Sequence, residues 1–515
     1  MKISTKLKFS LISIIFFGCS VPVKVPDNTD LFSHMLALDK DGKKDCLVVA
    51  VPNTNSIEPT DINCSANKND QDDKIDRHID RITNGLNTAI SKYGKVELLL
   101  FVHGGLVTKE NAAEATREIL NEIENDNLKR KKDTPYIYPI FVNWESGMDD
   151  AYLDHLYRVR QGRESKILGP LSSPFYLLAD FGRAFSRVPV TYGYQGYNAV
   201  KHTVVDDEKA VETMNNEFYG GSSLGGHAIS LGADKTTSFE KGLGKSTYLI
   251  PGVLKLFTTP MLDMVGKSSW DNMLRRTKLL FRSPTDYNLK QEKLELSTVE
   301  QIEDMVTINS WNYPQPQSYK YRNSTGGLSV LMRALQKFKP LQQEDRLSVT
   351  LIGHSMGTIV MSELLRQFSD DKQDLTYNDI VYMAAACTIR DFEGTVIPYL
   401  AKHEKTNFYN LTLHPIAEEN ENFFVDTVPR GSLLVWIDDF ASDPATRTDL
   451  TLGKWNNAKI AWPFIPKNVR EQITLKAFGI EDPSVNKGKG YKIPQKHGEF
   501  NDVSTSFWQR EYWRG

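Results

Sequence analysis

Short apolar runs alternate with amphipathic stretches along this chain, and the alternation constrains the fold more than any other feature. The runs are almost uninterrupted in Val, Ile, Leu and Phe, as in strands that are buried on both faces of a sheet. The stretches between them repeat apolar residues every three or four positions, which is typical of amphipathic helices. This order predicts an α/β protein with a mostly parallel sheet and helices on both faces.

The predicted strands occupy residues 46–51, 96–102, 140–144, 347–352, 380–386, 409–413 and 473–478. The predicted helices cover about 75–90, 108–123, 328–338, 358–368, 396–403 and 432–440. Residues 148–325 interrupt the alternation, and so long a stretch cannot be a bare loop in a compact domain. Because 175–185 and 248–281 carry apolar residues at helical spacing, we expect a large, mainly helical cap insertion.

The N-terminus carries an export signal. Lysines 2, 6 and 8 precede a short apolar run that ends at Gly18, too short to remain as a spanning helix. The run leads into Cys19 and resembles the lipobox of bacterial lipoproteins, with Phe16 where Leu is usual. The resemblance implies cleavage after residue 18, acylation of Cys19 and, since Ser20 follows, an outer-membrane location. Residues 19–92 would then form a tether and an N-terminal extension.

Charge and cysteine content exclude several classes of protein. Lys and Arg number 62 against 65 Asp and Glu, a net charge of -3 that gives no electrostatic reason to bind nucleic acid. No apolar run reaches 18 residues, so a polytopic membrane protein is excluded. No cysteine–histidine cluster has metal-ligand spacing, so no metal site is expected. Cys46 and Cys64 are able to pair in an oxidising compartment, and Cys387 is expected to be a buried thiol.

The first candidate catalytic motif is Gly353-His354-Ser355-Met356-Gly357, between an apolar strand and a helix. So sharp a turn strains the serine backbone and crowds strand against helix, which requires little bulk two residues before and after the serine. Gly353 and Gly357 meet that requirement. The turn would project the Ser355 hydroxyl at the C-terminal end of the strand, where a nucleophile is accessible.

The second motif is His103-Gly104-Gly105-Leu106, at the end of an earlier strand. Attack of a serine on a carbonyl creates an oxyanion, which needs preorganised hydrogen-bond donors. Glycines allow backbone N–H groups to approach it closely. Gly104 or Gly105, together with the N–H of Met356, are therefore the candidate donors.

With these two motifs the chain resembles the α/β-hydrolase superfamily, in particular lipid-anchored bacterial serine esterases and lipases. The resemblance covers roughly 95–147 and 326–505. It implies an α/β-hydrolase-type core made of 93–147 and 326–515, with 148–325 as the cap or lid. Caps in this superfamily more often interrupt the chain two strands later.

The resemblance also implies the chain order Ser, acid, His. After Ser355 and its neighbour His354 the chain offers His403, His414 and His497. His403 lies in a helical stretch with no acid-bearing loop before it, and His414 lies where the family places its acid. His497 follows the last strand and matches the family's general base.

The acid remains open between two residues. Asp426 begins an Asp-Thr-Val-Pro sequence that resembles the family's acid-bearing pattern, whereas Glu418 lies closer to the end of the preceding strand. Glu419 and Glu421 belong to the same acidic run, which is ordinarily a solvated loop.

These residues predict a membrane-anchored serine hydrolase that cleaves carboxylic esters, with lipid or acyl esters as the suggested substrates and no cofactor. Thioesters, amides and acyl transfer remain open. The alternative is a non-catalytic envelope lipoprotein that uses the fold for binding. The apolar stretch 248–265 fits either cap core or an acyl pocket, and 144–147 fits either packing or substrate contact.

Overall fold

The described residues contain one eight-stranded sheet in which every neighbouring pair of strands is parallel. The computed structural model describes residues 31–43, 72–131, 134–204, 227–231, 252–282, 325–421, 431–478 and 492–514. The predicted strand 46–51, Cys19, Cys46, Cys64 and Asp426 lie outside these ranges. The prediction of an α/β fold with a mostly parallel sheet is confirmed.

The sheet order is β1-β3-β2-β7-β8-β9-β10-β6, and β4 and β5 form a separate antiparallel pair. The strands are β1 (Met35–Leu38), β2 (Val96–Val102), β3 (Tyr136–Trp144), β4 (Val159–Arg160), β5 (Arg163–Glu164), β6 (His227–Leu231), β7 (Leu347–His354), β8 (Asp379–Met383), β9 (Asn407–Leu413) and β10 (Ile473–Phe478). Every residue of β2, β8 and β10 is buried, including the charged residues Glu97, Asp379 and Lys476 among the apolar ones.

The α-helices are α1 (Asp72–Tyr93), α2 (Lys109–Lys129), α3 (Met148–Tyr157), α4 (Leu168–Val204), α5 (Gly252–Leu279), α6 (Gly327–Leu335), α7 (Lys339–Gln343), α8 (Gly357–Gln367), α9 (Ile389–Lys402), α10 (Pro415–Asn420), α11 (Leu433–Trp436), α12 (Trp455–Ala461), α13 (Lys467–Arg470) and α14 (Arg510–Arg514). A π-helical turn, Ile437–Ala441, continues α11. No helix within the described ranges is long and apolar enough to cross a membrane.

Helices cover both faces of the sheet because the crossovers run in two directions. The connections from β1 to β2 and from β7 through β9 run toward the β6 edge of the sheet, whereas the connection from β2 to β3 runs toward the β1 edge. Because such connections are right-handed, the two directions place their helices on opposite faces. The first set places α1, α8 and α9 on one face, where α6 also packs against α1, and α2 lies on the opposite face. The C-terminal segment covers that second face beside α2, where the Trp508 indole N–H donates to Asp126 at 2.9 Å.

Several element bounds differ from the predicted ones for local reasons. Strand β8 ends at Met383, before the predicted end, because Ala384 adopts a left-handed φ of 44°. Helix α9 begins at Ile389 rather than near 396, since Thr388 forms a capping box with Asp391. The helix predicted at 432–440 divides into α11 and the π-helical turn.

The short pair β4 and β5 was not predicted, and neither were two short strands of the main sheet. Residues 35–38, predicted as part of the tether and extension, form edge strand β1 beside β3, and α1 packs on the same region. Residues 227–231 of the insertion form β6, which extends the sheet beyond β10. The rest of the described insertion is mainly helical, as expected, with α3, α4 and α5 in mutual contact.

A buried ion pair joins two of these insertion helices. The Arg276 guanidinium of α5 lies 2.8 Å from the Asp154 carboxylate of α3, and both side chains are buried. Arg276 also donates to the Glu145 carbonyl at 3.1 Å, just beyond strand β3. The position of α5 is therefore fixed relative to the end of a core strand.

Candidate active site

Residues 353–357, called the elbow below, form a strained turn at the end of the central strand β7. Ser355 has a φ of 50°, a left-handed conformation that is costly for a residue with a side chain. The residues two positions before and two positions after it are glycines for steric reasons. A Cβ on Gly357 would lie 2.1 Å from the Val102 carbonyl oxygen, and one on Gly353 would lie 3.0 Å from the Thr358 nitrogen. The predicted strand–turn–helix context of Ser355 is present.

Hydrogen bonds from the next strand hold the elbow in place. The Ser355 N–H donates to the Met383 carbonyl of β8 at 2.9 Å. The Thr358 hydroxyl donates to the Ser355 carbonyl at 2.7 Å, and it accepts from the Cys387 N–H at 3.0 Å. Cys387 is a buried free thiol, as predicted, and burial raises its pKa to about 12. The strained serine is thus fixed by groups on both sides of it.

The structure brings Ser355 and His497 together, as the sequence predicts. His497 Nε2 lies 2.9 Å from Ser355 Oγ, and both side chains are buried. Burial lowers the pKa of His497 well below its usual range, so the ring is neutral and able to accept the hydroxyl proton. The other two histidines lie elsewhere. The His403 ring is 3.2 Å from the Asp371 carboxylate, and the main-chain N–H of His414 donates to the Phe478 carbonyl.

The main chain of His497 is held from both sides by buried side chains, which the sequence did not predict. His354 Nε2 donates to the His497 carbonyl at 3.0 Å. Since a carbonyl only accepts, this contact fixes the tautomer of His354. The His497 N–H donates to Glu421 Oε2 at 2.9 Å. His354 and Glu421 therefore set the position of the imidazole relative to Ser355.

The two predicted acids have different outcomes. Asp426 lies outside the described residues. Glu418 is buried and accepts a hydrogen bond from the Ser432 hydroxyl, and burial raises its pKa to about 8. Among the described residues, no group hydrogen-bonds to the buried Nδ1 of His497. Glu421 approaches His497 through the main chain instead, and burial raises its pKa to about 7.

The predicted oxyanion residues pack directly against the elbow. A Cβ on Gly104 would lie 2.9 Å from Ser355 Cβ, and one on Gly105 would lie 2.6 Å from Met356 Sδ. Glycine at both positions therefore allows the backbone after β2 to approach the serine. After β2 the chain turns back to β3, whereas after the adjacent β7 it continues to β8 on the other side. This divergence opens a crevice at the C-terminal ends of β2 and β7, which is where ligands bind in parallel sheets of this kind.

The segment 103–106 is held in position by hydrogen bonds to Trp144, the last residue of β3, and to Ser146, which follows it. His103 Nε2 accepts from the Trp144 N–H at 3.2 Å, so Nδ1 carries the proton and donates to the Gly104 carbonyl at 2.7 Å. The Ser146 hydroxyl also donates to the Gly104 carbonyl, at 3.2 Å. Burial lowers the pKa of His103 to about 4, which keeps this arrangement intact at neutral pH. Residues 144–146 thus support the loop, in line with the packing interpretation.

A narrow apolar pocket adjoins the candidate oxyanion residues. Its lining includes Gly105, Met356, Leu262, Trp270, Trp436 and Phe440. The cap helix α5 forms one wall, and α11 with the π-helical turn forms another. A larger cavity of about 630 Å³ lies between α1 and strand β3, and none of the candidate site residues lines it.

Comparisons with protein-family models, with curated proteins and with solved structures find no match for this chain. Within the described ranges, no group of three or more His, Cys, Asp or Glu side chains is arranged to hold a metal ion. The chemistry of the site is therefore argued from its own geometry.

Replacing Glu421 by alanine should lower kcat about 10- to 100-fold with little change in KM, because a small misplacement of His497 is costly at the reacting atoms. Glu421→Gln should recover most of that loss, since its amide oxygen still accepts the His497 N–H. Ester hydrolysis by the two variants is the measurement, with exposed Glu404→Ala as the neutral control. Equal losses in Glu421→Ala and Glu421→Gln would show that the carboxylate charge, rather than positioning, matters.

Proposed function

We propose that this protein is a serine hydrolase of the α/β-hydrolase type that cleaves carboxylic esters through an acyl-enzyme. The observation that carries the proposal is the 2.9 Å distance between Ser355 Oγ and His497 Nε2, at a serine with left-handed φ. A hydroxyl within hydrogen-bond reach of a neutral imidazole is the arrangement that nucleophilic catalysis requires. The loop with Gly104 and Gly105 lies beside it, as such elbows need.

The proposed mechanism has two half-reactions. His497 takes the Ser355 proton as Oγ attacks the ester carbonyl, and backbone N–H groups of Met356 and of Gly104 or Gly105 stabilise the oxyanion. The imidazolium returns the proton to the departing alkoxide, which leaves an ester between the acyl group and Ser355. Water then attacks this ester with His497 as base, releasing the carboxylic acid and restoring the serine.

The apolar pocket suggests where the acyl group lies. It begins at Gly105 and Met356, next to the candidate oxyanion donors, and it is lined by apolar side chains of α5 and the π-helical turn. An aliphatic acyl chain leaving the carbonyl carbon would meet these side chains and lose contact with water. We therefore favour esters of apolar acids, presented to an enzyme held at the outer membrane through an acylated Cys19.

One observation favours a second function, that of a non-catalytic binding protein. Within the described part of the chain no carboxylate reaches His497 Nδ1, and the imidazolium formed in catalysis would lack that support. A serine hydrolase without its acid is slowed but not abolished, so this observation does not outweigh the Ser355–His497 contact. A serine hydrolase would turn over ester substrates, whereas a binding protein would not.

The test is a panel of nitrophenyl esters with acyl chains of increasing length, run with the full-length chain and with His497→Ala. We expect hydrolysis by the unmodified chain to be at least about 10³-fold faster than by His497→Ala, and to vary with acyl length. Matching amide and thioester substrates define the reaction class. Equal background rates for both proteins on every substrate would favour the binding function.

A further inference from the structure

The cap helix α4 turns a row of large apolar side chains outward. Each of these side chains, together with Ile167 directly before the helix, is at least 45% exposed: Ile167, Leu168, Leu171, Phe175, Leu177, Leu178, Phe181, Phe185 and Val190. Many of them recur at steps of three and four residues, so they lie along one side of the helix. Helices on the surface of soluble proteins normally turn that side toward the core. We call these side chains the α4 outer face.

Between residues 168 and 190 the charged side chains of the same helix contact other parts of the protein. Buried Asp180 accepts from the Ser268 hydroxyl of α5 at 3.0 Å and lies 3.0 Å from His155 Nε2 of α3. Arg183 and Arg187 lie 3.4 and 3.3 Å from the buried carboxylate of Asp263. This part of the helix is therefore amphipathic in the reverse sense. Asp180, Arg183 and Arg187 contact neighbouring parts of the protein, whereas the apolar side chains are exposed to solvent.

The α4 outer face carries no charge. From residue 167 to residue 190 none of the exposed positions is Asp, Glu, Lys or Arg, and the apolar residues there are joined by Pro170, Pro174 and Pro189. A continuous apolar patch of this kind marks an interaction site, whereas isolated exposed apolar residues do not. The surface suits a nonpolar phase and offers no pairing group to a charged partner.

The N-terminus indicates which nonpolar phase lies close. Residues 20–30 separate the expected acylated Cys19 from Leu31, the first described residue. That segment spans at most about 40 Å even when fully extended. A body held so near a bilayer presents its apolar surface to lipid at a high effective concentration, which greatly favours a second contact.

We propose that the α4 outer face lies on the phospholipid bilayer, with its Leu and Phe side chains in the boundary between headgroups and acyl chains. This inference goes beyond the hydrolase activity and uses the anchor expected at Cys19. It also orients the enzyme. Arg183 of α4 pairs with Asp263 of α5, and the adjacent Leu262 lines the apolar pocket, so the docked α4 would contact the helix that forms one wall of that pocket.

The test places an environment-sensitive nitrobenzoxadiazole label at Phe175→Cys in the full-length chain, with Cys46 and Cys64 replaced by serine. The chain is reconstituted into phosphatidylcholine vesicles that carry doxyl lipids as quenchers. Phe464→Cys is the matched control, because Phe464 is 70% exposed against 75% for Phe175 and lies in a turn between α12 and α13. Leu171→Cys repeats the measurement if Phe175→Cys folds poorly.

We expect the label at 175 to shift to the blue on vesicles and doxyl lipid to quench most of its emission, while the label at 464 keeps its aqueous spectrum. Equal, unquenched spectra at both positions would overturn the proposal, as would a chain that does not sediment with vesicles. A blue shift at 175 without lipid, accompanied by a dimer in sedimentation velocity, would assign the face to a second copy instead. Ester hydrolysis, measured on the same samples, reports separately on the proposed activity.

Discussion

Replacing Ser355 by alanine should lower the rate of ester hydrolysis by about 10⁴- to 10⁶-fold, because the nucleophile is lost while the rest of the site remains. The alanine side chain fits the same space beside Gly104, so the protein should fold normally. Binding of an ester should change little, because the apolar pocket is lined by other residues. We therefore expect kcat to fall while KM changes little, and steady-state kinetics on the ester that is hydrolysed fastest in the panel measures both.

The control for this variant is Ser362→Ala. Ser362 is also a buried serine, seven residues further along the chain in α8, and its hydroxyl lies 3.0 Å from the Tyr382 hydroxyl. Its removal should leave kcat within a small factor of the unmodified value. If Ser355→Ala retained more than a few per cent of the activity, another residue would have to be the nucleophile.

Gly357→Ala should both destabilise the fold and inactivate the enzyme. The new methyl group would lie 2.1 Å from the Val102 carbonyl oxygen and 2.9 Å from that of His103, and both contacts are with backbone. Relief requires the elbow to separate from the end of β2, which moves Ser355 away from Gly104. We expect the free energy of unfolding to fall by about 3 kcal/mol and kcat to fall by at least about 10²-fold.

Gly394→Ala is the matched control for this prediction. Gly394 lies inside α9, and a Cβ there would meet no atom within 4 Å. Alanine is the better helix former, so this variant should gain about 0.5–1 kcal/mol and keep its activity. Urea unfolding and kinetics on both variants supply the comparison. A Gly357→Ala protein as stable and active as Gly394→Ala would mean that the elbow is not packed against β2.

Much of the sheet was predictable because its longer strands are mostly apolar runs. The bounds of β2 and β10 agree with the predicted 96–102 and 473–478. The choice of His497 came from the resemblance to the α/β-hydrolase superfamily, which implies that the histidine follows the last strand, and the structure places it beside Ser355. The short strands β1 and β6 were not predictable, because four or five residues do not establish a period.

The groups that support the site were harder to predict. Glu421 looked like part of a solvated acidic run, and only tertiary packing buries it against the His497 N–H. His354 was set aside as the neighbour of Ser355 inside the elbow, yet its ring donates a hydrogen bond to the His497 carbonyl. Periodicity also predicted a helix near 175–185 without telling which side of it faces outward. Contacts between side chains and distant main chain leave no local pattern in a sequence.

The most direct test of the central claim is labelling by a fluorophosphonate, which reacts only with a serine hydroxyl activated by a neighbouring base. We expect the full-length chain to gain one adduct, located by peptide mass spectrometry on Ser355, and we expect no adduct in His497→Ala. A folded chain that remains unlabelled, or an adduct on a different serine, would contradict the assignment of Ser355 and His497 as nucleophile and base.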